Sequence, residues 1–320
     1  MNPKPAALPF PAARTTAEPA RESLDAMLAR RLTLIDEIGN LEARIGRVAT
    51  ESVCGSRDDS QDVELYDGTL GVTREFVMKH QSPVGLLQWL DNLGERFDGP
   101  GETPGNVSGV RWGTGALIQQ GLSKDLFLTA GHSFDGEGNG WRRPSRNGRP
   151  VPARELATSM RVLFNFQVDG QSNPRVVRPG ESFPVVELLE HRLSGLDYAI
   201  VRLGPNAAGQ LPGDVHGTLR MALEDIEEMR TMLCVIQHPG GAPKRVEAGP
   251  MTRNVAGRIE YKDLDTLGVS SGAPVLSPAG EIVGVHTNGG CFEFGGVNYG
   301  TSIGIIREAS AIIRRRRRPS

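Results

Sequence analysis

From about residue 63 onward, turn residues cut the chain into short β-prone runs, and that punctuation constrains the fold more than any other feature. The runs are Val110–Leu117, Leu126–Ala130, Arg161–Gln167, Phe183–Leu188, Asp197–Leu203, Met232–Gln237, Ala273–Leu276, Glu281–Thr287 and Val297–Ile303. Segments this short must close into barrels or stack as a sandwich to bury their apolar faces. With 40 glycines, 22 prolines and only 5% aromatic residues among 320, the expected class is all-β. Short helices are expected at Arg74–His80 and Leu86–Leu93, helical spacing recurs over Leu219–Met229, and Ile305–Arg318 reads as a closing helix. No internal repeat is visible.

The remaining segments differ in texture. Residues 1–20 form a Pro/Ala-rich stretch expected to be disordered. Over residues 21–50, Leu24, Leu28, Leu32, Ile35, Ile38, Leu41, Ile45 and Val48 recur every three or four positions, which predicts an amphipathic helix. That helix either lies on the following domain or docks a protein partner or a second copy of the chain. Residues 51–62 read as a linker, 63–313 as the main domain and 314–320 as a basic tail.

Several function classes are disfavoured. No apolar run approaches the roughly 18–20 residues of a membrane-spanning helix, so no membrane partner is expected. The net charge is -2, which gives nucleic acid no general attraction. Weak binding through Arg314–Arg318 is the exception to weigh, against a solvated helix end. Cys54, Cys234 and Cys291 are odd in number and widely spaced, and read as plain thiols. With no secretory-type apolar stretch at the start, they suggest a cytoplasmic protein. His80, His191, His216 and His238 lack metal-ligand spacing.

Three stretches carry chemistry: Thr129-Ala-Gly-His132 after an apolar strand, Asp197-Tyr-Ala-Ile-Val201 leading a buried strand, and Ser270-Ser271-Gly272-Ala-Pro274 before another. A serine hydroxyl is a poor nucleophile near neutral pH. It needs a base within hydrogen-bond reach, and the base needs an orienting carboxylate. Ser271, His132 and Asp197 supply these three roles. Neither metal nor cofactor is required.

With these motifs the sequence resembles the trypsin-like serine peptidases, and within them the bacterial glutamyl-endopeptidase, or V8-like, relatives. Gln237-His-Pro-Gly-Gly-Ala-Pro-Lys244, Tyr261 with Asp265-Thr266, and Gly284-Val-His286-Thr-Asn-Gly-Gly290 carry the subgroup likeness. The resemblance covers about residues 63–313. It implies a chymotrypsin-like double β-barrel with a C-terminal helix, acting as a serine endopeptidase on protein or peptide substrates. It also implies His132, Asp197 and Ser271 as catalytic residues. The oxyanion hole would use the backbone N–H groups of Val269 and Ser271, and the substrate pocket Asp265, Thr266, His286 and Gly289. The family usually has glycine where Val269 stands. A β-branched residue there is expected to strain the hole, or to let it form only on binding, unless valine fits an ordinary conformation. Thr266 and His286 suit an acidic substrate side chain. Asp265, if it faces the pocket, suits a basic one. A degenerate peptidase fold that only binds partners is the competing reading, and regulation by the helix at 21–50 accompanies the first.

Overall fold

Adjacent residues on a strand face opposite sides, and here both sides are apolar, so each barrel has a core and a second buried surface behind it. The computed structural model describes residues 23, 26–34, 52–54, 56–135, 140–193, 195–292 and 295–313. After β1 (Gln61–Asp62) come β2 (Val84–Trp89), β3 (Arg111–Leu117), β4 (Leu126–Thr129), β5 (Met160–Leu163), β6 (Ser182–Arg192) and β7 (Tyr198–Leu203). Strands β2–β7 pair antiparallel in the order β7-β4-β3-β2-β5-β6, and β6 returns to β7 to close a barrel. The second half contributes β8 (Met232–Gln237), β9 (Arg245–Val255), β10 (Arg258–Tyr261), β11 (Pro274–Leu276), β12 (Ile282–Asn288) and β13 (Asn298–Ser302). Their order is β9-β8-β11-β12-β13-β10. Pairing of β10 with β9 closes this barrel too, and β1 adds to β9.

Strand β7 shows how the two cores share one backbone. Ala199, Val201 and Leu203 face the first barrel's interior with Phe127, Phe164 and Phe183. Tyr198 and Ile200 face the other way and join Leu233, Val275 and Val285 of the second barrel. The same alternation corrects the helix expected at Leu86–Leu93. Leu86 and Leu87 belong to different clusters on opposite faces, so Leu86–Trp89 lies in β2, and only Leu93 is helical, opening a short turn to Arg96.

The helix at Arg74–His80 forms as expected, with the Thr73 hydroxyl accepting from the Phe76 N–H. Leu219–Met229 is not helical. Leu219 and Met221 bridge to Ile118 and Ile282, while Leu223 and Met229 stay exposed, so no helical stripe is buried. The closing helix spans Ile303–Ala309, and the basic tail lies outside the described residues, as do residues 1–20. Of the amphipathic segment, residues 26–34 are helical and 35–50 lie outside the described residues. Leu32 packs on the second core, Arg31 pairs with Glu308 at 3.0 Å, and Met27 and Leu34 stay exposed. None of the described helices is long and apolar enough to cross a membrane.

Residues 52–62 are not a free linker. Backbone and side-chain hydrogen bonds, the β1 pairing and a covalent bond fasten them to the second barrel, described next.

Candidate active site

The first barrel places a histidine and a carboxylate side by side. Strand β4 ends at Thr129, and the chain turns sharply through Gly131–Phe134. A side chain at Gly131 would put a Cβ 1.8 Å from the Arg192 carbonyl and 3.1 Å from Asp197 Oδ1, so the Gly before His132 is a packing requirement. Asp197 precedes β7. Its Oδ1 accepts the His132 backbone N–H at 2.8 Å, and its Oδ2 lies 2.7 Å from His132 Nδ1. One carboxylate therefore fixes both the main chain and the ring of His132. It holds the proton on Nδ1 and leaves Nε2 as the basic atom.

The second barrel brings the serine turn against the same strand ends. Gly272 has φ +92°, and a Cβ there would lie 2.1 Å from the Thr114 carbonyl and 2.8 Å from the Ala130 nitrogen. Only glycine allows the Ser271 turn to approach β3 and β4 so closely. The Thr114 N–H donates to the Ser271 carbonyl at 2.9 Å. The Ser270 N–H donates to the Leu267 carbonyl at 2.9 Å, and the Ser270 hydroxyl accepts from the Leu267 N–H at 3.3 Å. Ser270 thus closes the turn and Ser271 follows it.

Val269 occupies the third position of that turn with φ +81°, the value a type II turn asks of glycine. The expected strain is present, and the ordinary conformation is not what valine adopts. The Val269 carbonyl accepts from the Thr114 hydroxyl at 2.7 Å, so a first-barrel side chain braces the second barrel's turn. Thr114 is fully buried. Nothing in its sequence neighbourhood singles it out.

The residues expected to line the pocket each have their own partners. Asp265 is buried, and its two carboxylate oxygens accept the backbone N–H groups of Cys54 at 2.6 Å and Asp59 at 3.1 Å. Burial raises it to about 6 despite those two N–H groups, with Asp59 and Asp58 adding repulsion. His286 is fully buried on β12. Its Nδ1 lies 2.5 Å from the Tyr261 hydroxyl, and Nε2 has no hydrogen-bond partner among the described residues. Burial, then the nearby His132, pushes His286 down to about 3, so it is neutral at pH 7. Gly289 directly follows β12.

A strap absent from the sequence reading holds this wall. Asn298 Nδ2 donates to the Ser52 carbonyl at 2.7 Å, the Leu264 carbonyl at 2.9 Å and the Thr266 hydroxyl at 3.2 Å. The Ser52 hydroxyl donates to Asn298 Oδ1 at 2.7 Å and accepts the Cys291 N–H at 2.8 Å. Cys54 and Cys291 form a disulfide, with Cα atoms 4.8 Å apart. This corrects the expectation of plain thiols, which now holds for buried Cys234 alone. No local signal marks the pair, because 237 residues separate the partners.

A family model described as the trypsin-like peptidase domain matches residues 113–285, more than half of the chain. The glutamyl endopeptidase of Staphylococcus aureus strain MRSA252 is 26% identical over 188 residues, covering 57% of this chain and 46% of that protein. That of strain MW2 is 28% identical over 188 residues, covering 57% and 50%. The chain therefore spans about half the length of the curated relatives it matches. Among solved structures, a Glu endopeptidase in complex with MPD superposes with a TM-score of 0.49 at 16% identity, covering 80% of this chain and 97% of that one.

Proposed function

We propose that this chain, which belongs to the trypsin-like peptidase domain family, is a serine endopeptidase that cleaves after acidic residues. The doubly held His132 carries the first half of the reading. Ser271 attacks the scissile carbonyl while His132 Nε2 takes the hydroxyl proton. The same proton passes to the leaving amine, which departs as the acyl-enzyme forms. Water then enters, His132 removes its proton, and the ester is hydrolysed. Asp197 keeps the ring oriented and stabilises the imidazolium. The backbone N–H groups of Val269 and Ser271 receive the developing oxyanion.

Acidic preference rests on where Asp265 points its charge. Both of its oxygens are engaged by strap N–H groups, so the carboxylate is not offered to a basic substrate side chain. With the Tyr261 hydroxyl donating to Nδ1, His286 carries its proton on Nε2, which has no partner among the described residues. A neutral N–H donor suits a carboxylate. Peptides differing only in the residue before the scissile bond test this. Glu or Asp should exceed Lys or Arg in kcat/KM by at least about 100-fold, a factor worth roughly 3 kcal/mol. A clear Lys or Arg preference would overturn the acidic pocket.

The helix at 26–34 leaves Met27 and Leu34 exposed, which supports a regulatory contact with a partner or a second copy. The Cys54–Cys291 bond removes the cysteine argument for a cytoplasmic location and favours an oxidising compartment.

A further inference from the structure

Two strands that pair with each other both reach the turn that carries His132. His191 is the penultimate residue of β6 and lies opposite Ala199 on β7, and Asp197 directly precedes β7. His191 Nε2 lies 3.1 Å from the Gly131 carbonyl oxygen. A carbonyl only accepts, so Nε2 carries the proton and donates it. The Gly131 carbonyl and the His132 N–H are the two ends of one planar peptide unit. Asp197 Oδ1 accepts from the N–H end at 2.8 Å, and His191 donates to the carbonyl end.

The other carbonyls of the turn are bonded as well. That of His132 accepts the Asp135 N–H at 3.2 Å, that of Ser133 the Trp112 indole N–H at 2.9 Å, and that of Phe134 the Arg143 guanidinium at 3.2 Å. Those three bonds lie beyond the His132 Cα and do not orient the peptide before it. The His191 ring also stands edge-on to Phe134, with centroids 6.4 Å apart at 87°. One side chain thus holds both ends of the Gly131–Phe134 turn. A cavity of about 370 Å3, lined by Arg154 and residues 188–192 among others, adjoins the ring. Without the His191 donor, water entering there can bond the carbonyl but does not fix its direction.

We propose that His191 is a positioning residue for the base: with Asp197 it clamps the peptide plane before His132, and so sets the direction in which the ring meets Ser271. The inference rests on the proposed Ser271–His132 chemistry and adds a residue to it. Rotation of that peptide swings the His132 Cα–Cβ bond and tips the ring away from Asp197 Oδ2 and from Ser271 together. Misplacing a reacting group by a fraction of an ångström costs rate. The acidic side chain of the substrate is received by the second barrel, so binding should respond little.

His191→Phe keeps a ring beside Phe134 and removes the donor, whereas His191→Gln keeps a donor in its side-chain amide. Both are compared with the wild-type full chain in steady-state kinetics on an acidic peptide. Expected in His191→Phe is a kcat lower by about 10-fold with KM within about 2-fold, and in His191→Gln a kcat within about 3-fold of wild type. A second readout needs no turnover. In a Ser271→Ala background, the downfield NMR signal of the His132 Nδ1 proton bonded to Asp197 should stay sharp with His191 or His191→Gln and broaden by exchange with His191→Phe. In a chain that cleaves peptides, wild-type kcat in His191→Phe, or equal losses in both variants with a lowered Tm, would overturn the clamp. In a chain that cleaves nothing the proteolytic reading fails and the NMR signal decides alone: broadening confined to His191→Phe supports the clamp, and an unchanged signal overturns it.

Discussion

The two barrels share a topology but hold their functional groups in different ways. The first positions His132 and Asp197 at the ends of the paired strands β4 and β7, with both carboxylate oxygens bonded and the surrounding aromatic core closed. The second carries the serine turn and the pocket, and it leans on outside help. Thr114 braces its turn, the 52–62 strap braces its wall, and a disulfide ties strap to wall. It also contains Val269 at φ +81°, and a buried His286 whose Nε2 has no partner among the described residues. A base needs only orientation, which a closed barrel supplies. A turn and pocket that must receive a substrate leave donors unpaired and backbone strained, so stability there comes from added ties.

The largest expected effect probes the self-sufficient half. Asp197→Asn should lower kcat by about four orders of magnitude while leaving substrate KM nearly unchanged, because the neutral amide no longer fixes the ring tautomer. Steady-state kinetics with an acidic peptide reads this directly. A loss below 10-fold would mean that His132 does not depend on Asp197.

Removing the tie should affect the other half alone. Cys54→Ser with Cys291→Ser should lower Tm by roughly 5–15 °C and raise KM for acidic peptides. Hydrogen exchange should speed up in β9, β12 and β13 and stay unchanged in β2–β7. Uniform acceleration in both barrels would erase the contrast.

Val269 sharpens the comparison in the opposite direction. A bulky residue held at positive φ costs about 1–3 kcal/mol, and glycine returns part of that gain through unfolded-chain entropy. Val269→Gly should therefore raise Tm by roughly 1–5 °C with kcat/KM retained. A lower Tm would show that the turn carries no such strain.

The smallest effect is a pH dependence. Burial depresses His216 to about 4, and His238 and His286 to about 3. The unfolded chain takes up these protons below about pH 6.5 and the folded chain does not. Their contribution is therefore full above pH 6.5 and is lost as pH falls toward 4. Tm measured from pH 7 to pH 4.5 should drop less steeply in His216→Gln than in the wild type; parallel curves would contradict the assignment.

What was legible in the sequence follows the same division. His132 and Ser271 stand out in the sequence because a glycine demanded by a close approach adjoins each, Gly131 and Gly272, whereas Asp197 is marked only by the apolar strand that follows it. Strand β8 coincides with the run Met232–Gln237 because its apolar residues are buried on both faces. Strand β9 escaped notice because Gly249 and Pro250 interrupt it. Yet a Cβ at Gly249 would lie 2.4 Å from the Lys262 carbonyl, so the interruption is what lets the chain pass. The strap was illegible for a different reason. Ser52 and Cys54 find their partners more than 200 residues away, and no local pattern announces a contact made only after both barrels close. Asp265 could be placed near the pocket from its position before the serine turn, but not aimed, since its direction is set by strap N–H groups.

Proteolysis by this chain requires Ser271 to be a nucleophile activated by His132. Labelling of the full chain with a fluorophosphonate probe tests it most directly, with the modified peptide mapped by mass spectrometry. Expected is stoichiometric modification of Ser271, abolished in Ser271→Ala and slowed strongly in Asp197→Asn. Failure of the wild-type chain to label, with the disulfide intact, would contradict it and leave a peptidase fold that binds without cutting.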